Sequence, residues 1–201
     1  MVKIGAVILA AGESRRMGKP KLLLPLDGAS LINYPVSLAI ESGLEPIVVI
    51  GGRHIAELEK ELATFSPYIS IKANPRYEEG MSSSLQEGIR ALDGKVDAAF
   101  IFLGDQPFVP KTVVDSIIKE YTAHKEQGIR IVRPLYQRSL GHPILFDSSL
   151  FNLFDTLQGD EGGKSIIQAQ KEHVQFIDFP NKSWGLDIDT PLDYARLQEK
   201  E

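Results

Sequence analysis

The feature that most restricts how this chain can fold is the apolar run at residues 4–9, Ile-Gly-Ala-Val-Ile-Leu, which stops at Ala10-Ala11-Gly12. It is too short for a lone helix, offers no polar face and ends in a small-residue turn, the pattern of a strand buried on both faces of a sheet. Such strands belong to parallel sheets covered by helices. The rest of the chain agrees, because apolar bursts at 47–50, 69–73, 98–103, 129–134, 144–146 and 174–179 alternate with amphipathic stretches at 30–42, 54–63, 81–92 and 111–124 and after Pro191. Residues 22–26 read as a short extended piece and Asp27-Gly28 as a turn, with Ser30 the expected N-cap of the next helix, Pro35 near its first turn and Gly43 its stop. The run at 98–103 is the most apolar and is expected at the centre of the sheet. With no repeat, low-complexity segment or linker, the 201 residues fit one domain spanning 1–201. The expected fold is α/β, a Rossmann-like three-layer domain with a mostly parallel sheet.

Where the first strand ends, small side chains let a ligand approach the backbone, and Gly12 is free to take a positive φ. Four cations follow within seven residues (Arg15, Arg16, Lys19 and Lys21), in a chain whose net charge is −5. A positive island in an acidic chain suits a small anion, and glycine-containing loops after a first strand commonly hold phosphate; a solvated basic loop is the plain alternative. Neither a Gly-x-Gly-x-x-Gly nor a Gly-x-x-x-x-Gly-Lys-Ser/Thr pattern is present. The modest acidity argues against nucleic acid or an anionic membrane as partner. The chain has no cysteine, which removes disulfides, thiolate metal sites and thiol nucleophiles together. Its start lacks a signal-peptide core, and no apolar run approaches the roughly 20 residues of a membrane span, so a cytoplasmic location is expected.

Three acids are candidates for holding a cation. Asp105 follows the central strand in Gly104-Asp105-Gln106-Pro107, and open α/β sheets place ligands outside the carboxyl ends of their strands. Asp187 and Asp189 are two apart, which in an extended segment puts both on one side. Carboxylates suit Mg²⁺, a hard cation that takes one or two of them alongside water and phosphate oxygens. From the residues alone, Asp189 reads equally well as the aspartate that opens the last helix. The run from Gly80 to Ser84 is in the same way a helix start with a choice of hydroxyl caps, although such a start, with Asn74 before it, also suits polar contacts to a base or ribose. His142, in Gly141-His142-Pro143, has no metal partner at ligand spacing.

Residues 9–21, Leu-Ala-Ala-Gly-Glu-Ser-Arg-Arg-Met-Gly-Lys-Pro-Lys, resemble the Leu-Ala-Ala-Gly-x-Ser-x-Arg-Met-Gly-x-x-Lys signature of the MobA-like NTP transferases, the family of the molybdenum cofactor guanylyl- and cytidylyltransferases. Gly-Asp-x-Pro at 104–107 and Asp-Ile-Asp-Thr-Pro at 187–191 are similar to two further motifs of that family. Asn74-Pro75 with Gly80-Met81 and Ser83-Ser84-Leu85 is similar to a third, with Tyr77 where tryptophan is usual. The resemblance implies a nucleotide-diphospho-sugar transferase-like fold and transfer of a nucleoside monophosphate from an NTP to a phosphorylated acceptor, with release of pyrophosphate. It implies that Arg16 and Lys21 hold the triphosphate, that Asp105 and Asp189 hold Mg²⁺ with Asp187 at a less uniform position, and that Leu9, Ala10, Ala11 and Gly12 cradle the nucleotide. Asn74, Gly80, Ser83 and Ser84 would then contact the nucleoside.

Gly-His-Pro at 141–143 and Gly-Asp-Glu-Gly-Gly-Lys at 159–164 resemble motifs of the cytidylyltransferase branch and imply an acceptor side that includes His142. Lys164 stands where arginine is typical, which keeps the charge but loses a two-pronged phosphate grip. Leu-Ala-Ala-Gly, where guanylyl members have Leu-Ala-Gly-Gly, points to CTP, since a Cβ at Ala11 narrows the room for a purine. The implied acceptor is molybdopterin-type molybdenum cofactor, and the implied recipient of the product a molybdenum hydroxylase. Nucleotidyl transfer to a sugar or polyol phosphate, and a non-catalytic nucleotide- or cofactor-binding insertion protein, are the alternatives.

Overall fold

The computed structural model describes residues 2–14 and 17–198. The chain runs through β1 (Ile4–Ala10), a two-residue hairpin of β2 (Pro25–Leu26) and β3 (Ala29–Ser30), α1 (Asn33–Glu41), β4 (Ile47–Gly51), α2 (Ile55–Glu61) and β5 (Ile69–Ala73). It continues through α3 (Met81–Leu92), β6 (Ala98–Leu103), α4 (Lys111–His124), β7 (Ile131–Tyr136), β8 (Ser139–Leu140) and β9 (Ile144–Asp147). After a 3₁₀ stretch at Ser148–Thr156 come α5 (Lys164–Ala169), β10 (Val174–Phe179) and α6 (Pro191–Gln198).

The main sheet has the order β10-β7-β9-β6-β1-β4-β5, with β8 attached to β7. β1 pairs in parallel with β4 and β6, β4 with β5, and β7 with β10. β9 alone runs against its neighbours β6 and β7 in the body of the sheet. The chain builds outward from β1 to β4 and β5, then crosses back to place β6 on the other side of β1. The strand order therefore reverses between β1 and β6, and such a reversal opens a crevice at the carboxyl ends of the strands.

The expected two-sided burial of the first strand is present. Ala6, Ile8 and Ala10 enter the core beneath α1 and α4, while Val7 enters the core beneath α3. In β6, Phe100 and Phe102 alternate with Ala99 and Ile101 in the same way, as the period of two requires. Gly88 lets α3 lie directly on β1, because a Cβ there would fall 2.3 Å from Val7 Cγ1. Among the described residues no helix is long and apolar enough to cross a membrane.

Two local expectations are corrected. Lys21–Leu23 forms a 3₁₀ turn rather than an extended piece, and Ser30 is a strand residue rather than a helix cap. The cause is the Asp27-Gly28 turn, where both residues have positive φ (46° and 84°). That geometry suits a two-residue hairpin, which draws Ser30 into a ladder with Pro25. The Ser30 hydroxyl instead donates to Glu61 Oε1 at 2.8 Å, and α1 starts after Ile32 with no side-chain cap.

Behind the sheet, the buried Tyr121 hydroxyl of α4 donates to Asp147 Oδ2 of β9 at 2.6 Å. Burial by itself would raise the Asp147 carboxyl, but hydrogen bonds from Ser149 and Tyr121 and the charge of Arg130 outweigh it and hold the group below its ordinary 3.8. A carboxyl lowered on folding stabilises the fold above its unfolded pKa, and that contribution is lost as pH falls through the folded value. Tyr121→Phe is expected to cost about 1–3 kcal/mol at pH 7, the range for a hydrogen bond to a charged group. The cost should shrink as pH drops below 3.8, and urea melts of both proteins at pH 7 and pH 3 measure it.

Candidate active site

The carboxyl ends of β1 and β6 meet through one glycine-dependent contact. Gly104 N–H donates to the Leu9 carbonyl at 3.0 Å, and a Cβ on Gly104 would lie 2.9 Å from that same oxygen. Only glycine allows the turn after β6 to close on the end of β1, which brings Asp105 beside the first loop. The last motif is tied in by Ile188 N–H, which donates to the Asp105 carbonyl at 3.1 Å. Residues from near both ends of the chain thus share one crevice.

Lys21 is the centre of this crevice. Its Nζ donates to Asp105 Oδ2 and, at 2.6 Å, to Asp189 Oδ1. Its backbone N–H donates to Ser14 Oγ at 3.1 Å, fixing the end of the first loop. Burial alone would lower the lysine pKa, but the charges and hydrogen bonds of Asp105 and Asp189 outweigh burial and hold it above the ordinary 10.5. Asp187 accepts from Gln106 Nε2 at 2.7 Å. Asp187 reaches solvent at the rim, yet withdrawal from bulk water, followed by repulsion from Asp105 and Asp189, pushes its carboxyl up from 3.8. Three carboxylates therefore crowd one ammonium, and hard oxygen donors with surplus negative charge are the chemistry that suits Mg²⁺.

The two readings of Asp189 are separated by its neighbour. Thr190 caps α6: its hydroxyl and N–H donate to Asp193 Oδ2 at 2.7 and 2.9 Å, and Asp193 N–H donates back to Thr190 Oγ1 at 3.1 Å. Asp189 is thereby released from capping and points to Lys21.

The cleft, about 580 Å³, is lined by Leu9, Ala11 and Gly12 of the first loop, by Lys21, Asp105, Asp187 and Asp189, and by Gly80, Met81 and Ser84 on the wall formed by the start of α3. A Cβ on Gly12 would meet nothing within 4 Å, so this glycine leaves room rather than supplying an unusual φ; the positive φ in the loop belongs to Ser14 (53°) and Gly18 (68°). Ala10 is buried in the core, not in the lining. Asn74 and Ser83 also lie behind the wall: Asn74 Nδ2 donates to Ser83 Oγ at 2.7 Å and Ser84 Oγ at 3.0 Å, and Asn74 Oδ1 accepts from Arg76 N–H at 2.9 Å. They pin the start of α3 to the end of β5, which leaves Gly80 and Ser84, not Asn74 and Ser83, on the cleft surface.

His142 is outside the lining as well. Its carbonyl accepts from the Tyr136 hydroxyl at 2.7 Å, while burial and the Arg133 charge push its imidazole down to about 3, leaving it neutral at neutral pH. Arg16 lies outside the described residues. Glu13 and Glu78 line the cleft without having stood out in the sequence as site residues, and Tyr77 and Asp160, which belong to the resembled motifs at 74–85 and 159–164, line it too. Among the described residues no group of three or more His, Asp or Glu side chains is arranged to hold a metal by itself.

Removing the ammonium is expected to expose the carboxylate repulsion. Lys21→Met should melt at a lower temperature than wild type at pH 7 and recover part of the difference at pH 4, where Asp187, its carboxyl already pushed up by burial and its neighbours, takes up a proton and relieves the crowding. Thermal melts at the two pH values check this.

The family model for the MobA-like NTP transferase domain matches residues 6–174. Nicotine blue oxidoreductase of Paenarthrobacter nicotinovorans is 29% identical over 198 residues, with 96% of each chain covered. Molybdenum cofactor cytidylyltransferase of Escherichia coli strain K12 is 27% identical over 201 residues, covering 100% of this chain and 98% of that one. The crystal structure of Rv0371c from Mycobacterium tuberculosis H37Rv has a TM-score of 0.82 at 26% identity, with 98% of both chains covered. The strand order and this superposition place the fold in the nucleotide-diphospho-sugar transferase-like class. The two relatives' names denote different chemistries, so likeness at this level carries family and not substrate.

Proposed function

Because the chain belongs to the MobA-like NTP transferase family and is thereby a nucleotidyltransferase, we propose that it moves CMP from CTP to molybdopterin-type molybdenum cofactor, for delivery to a molybdenum hydroxylase. The observation that carries this reading is the convergence of Lys21, Asp105 and Asp189 at the reversal between β1 and β6. Support for CTP comes from Ala11 in the cleft lining, whose side chain takes space a purine would use. Support for the acceptor is the similarity to molybdenum cofactor cytidylyltransferase along the whole chain.

In the proposed reaction an oxygen of the acceptor's phosphate attacks the α-phosphorus of CTP. A new P–O bond forms, the bond to the bridging α–β oxygen breaks, and pyrophosphate leaves with the electron pair. No protein nucleophile is needed. Lys21 serves by position and charge, offsetting negative charge on the triphosphate as the leaving group separates, with its backbone anchored on Ser14 and its ammonium held by Asp105. Asp105 and Asp189 would hold Mg²⁺, which when bound supplies charge neutralisation at the phosphate oxygens. One or two carboxylates suffice for a Mg²⁺ that arrives with its nucleotide. Residues 1–201 would act as one domain.

Pyrophosphate release, measured with each NTP in the presence and absence of molybdenum cofactor and Mg²⁺, tests the proposal. Release with CTP and molybdenum cofactor together is expected. Release with sugar or polyol phosphates alone would replace the acceptor, and no release under any pairing would leave a binding protein. Lys21→Ala is expected to lower kcat at least about 100-fold, the scale of losing one transition-state donor, while circular dichroism shows a folded protein.

A further inference from the structure

The cleft wall formed by the start of α3 carries a carboxylate that the transfer chemistry leaves unused. Asp160 lies in the loop before α5, within residues 159–164 that the resemblance assigns to the acceptor side, but its hydrogen bond is to the start of α3. Its Oδ1 accepts from Met81 N–H at 2.9 Å, and the adjacent Gly159 carbonyl accepts from Ser82 N–H at 2.9 Å. These are amides of the first turn of the twelve-residue α3, the place where a helix would otherwise welcome a phosphate. A carboxylate and a carbonyl have already taken both donors, and a phosphate brought there would meet a like charge. This disfavours a phosphate at the start of α3 and leaves Gly80, Met81, Ser84 and Asp160 of the lining available to a neutral nucleoside.

Asp160 is also held in position. Gly80 has φ 102°, and a Cβ on it would fall 2.5 Å from the Gly159 carbonyl carbon, so the two backbones are in direct contact. With Oδ1 bound to Met81, Oδ2 has no hydrogen-bond partner among the described residues, and the side chain lines the cleft. An ionised carboxylate accepts hydrogen bonds and cannot donate one. Cytosine and uracil have the same outline and differ at one edge, where cytosine presents an amino donor and uracil a carbonyl acceptor.

We infer that Asp160 is the base-selecting residue: Oδ2 accepts from the exocyclic amino group of cytosine and repels the carbonyl of uracil, so the cleft takes CTP over UTP. Carboxylates recognise the same amino group of cytosine in nucleic acids. This inference rests on the nucleotidyl-transfer reading above and names the group that sets its nucleotide preference.

Equilibrium binding of CTP, UTP and 2′-deoxy-CTP, each with Mg²⁺, to the intact protein and to Asp160→Asn tests it. The asparagine keeps an oxygen for Met81 N–H and turns an NH₂ group toward the cleft. Wild type should bind CTP at least about tenfold more tightly than UTP, the range of a hydrogen bond to a charged group. Asp160→Asn should erase or reverse that ratio and leave the CTP to 2′-deoxy-CTP ratio unchanged. Equal affinity of wild type for CTP and UTP, or an unchanged ratio in a folded Asp160→Asn protein, overturns the inference. So does a change confined to the CTP to 2′-deoxy-CTP ratio, which would assign Asp160 to the ribose. If circular dichroism shows Asp160→Asn unfolded, Asp160→Glu takes its place, with loss of the CTP to UTP ratio expected and retention contradicting the inference. Failure to bind any NTP would sink the transfer reading as well, whereas binding without preference sinks the role of Asp160 alone.

Discussion

The ammonium of Lys21, held between the carboxylates of Asp105 and Asp189, is the interaction on which the architecture of the cleft depends. Each partner arrives on a different element: Lys21 from the 3₁₀ turn after the first loop, Asp105 from the end of β6, Asp189 from the residues before α6. Two carboxylates at such close quarters repel, and only a cation between them makes the convergence favourable. The ion pair also costs desolvation, which by itself would weaken the lysine's charge. That cost is met because both carboxylates bond the ammonium directly and the Lys21 backbone is anchored on Ser14. Protein groups thus hold a site whose natural complement is a cation-bearing polyanion.

Charge also gives the cleft a direction. The Lys21 end joins one ammonium to three carboxylates and suits phosphate with a divalent cation. The α3 end is closed to anions, because Asp160 and Gly159 have taken the amides of Met81 and Ser82. A ligand with a charged tail and a neutral head is oriented by these two ends before any detailed contact forms. Leu9, Ala11 and Gly12 of the lining offer small or apolar surface against which a base and ribose can lie.

Much of this was legible in the sequence where one physical cause dominates. β1 and β6 were readable because burial on both faces leaves an unbroken apolar run, and Asp105 because it follows such a run through a glycine. Asp189 was ambiguous, since Asp and Thr both cap helices; the choice was made by Asp193, which bonds Thr190 and leaves Asp189 to Lys21. Ser30 was misread because the turn at Asp27-Gly28 extends the hairpin one residue further than the helix pattern suggests. Asn74 and Ser83 stand beside the cleft but spend their hydrogen bonds on each other and on the backbone, a distinction that motif spacing cannot make. Asp160 as a partner of Met81 was invisible for a different reason: the contact spans 79 positions, and its one sequence trace is a glycine on each side, Gly80 and Gly159, where the backbones touch.

In the proposed reaction Asp105, from the end of β6, and Asp189, from the segment before α6, share one cation brought in with the nucleotide. Paramagnetic relaxation by Mn²⁺ in the presence of CTP measures this directly, with side-chain carboxylate resonances assigned by carbon-13 labelling. The strongest broadening is expected at Asp105 and Asp189 together, and it should require the nucleotide. Broadening that spares either of the two, or that centres on carboxylates outside the cleft, would contradict the claim.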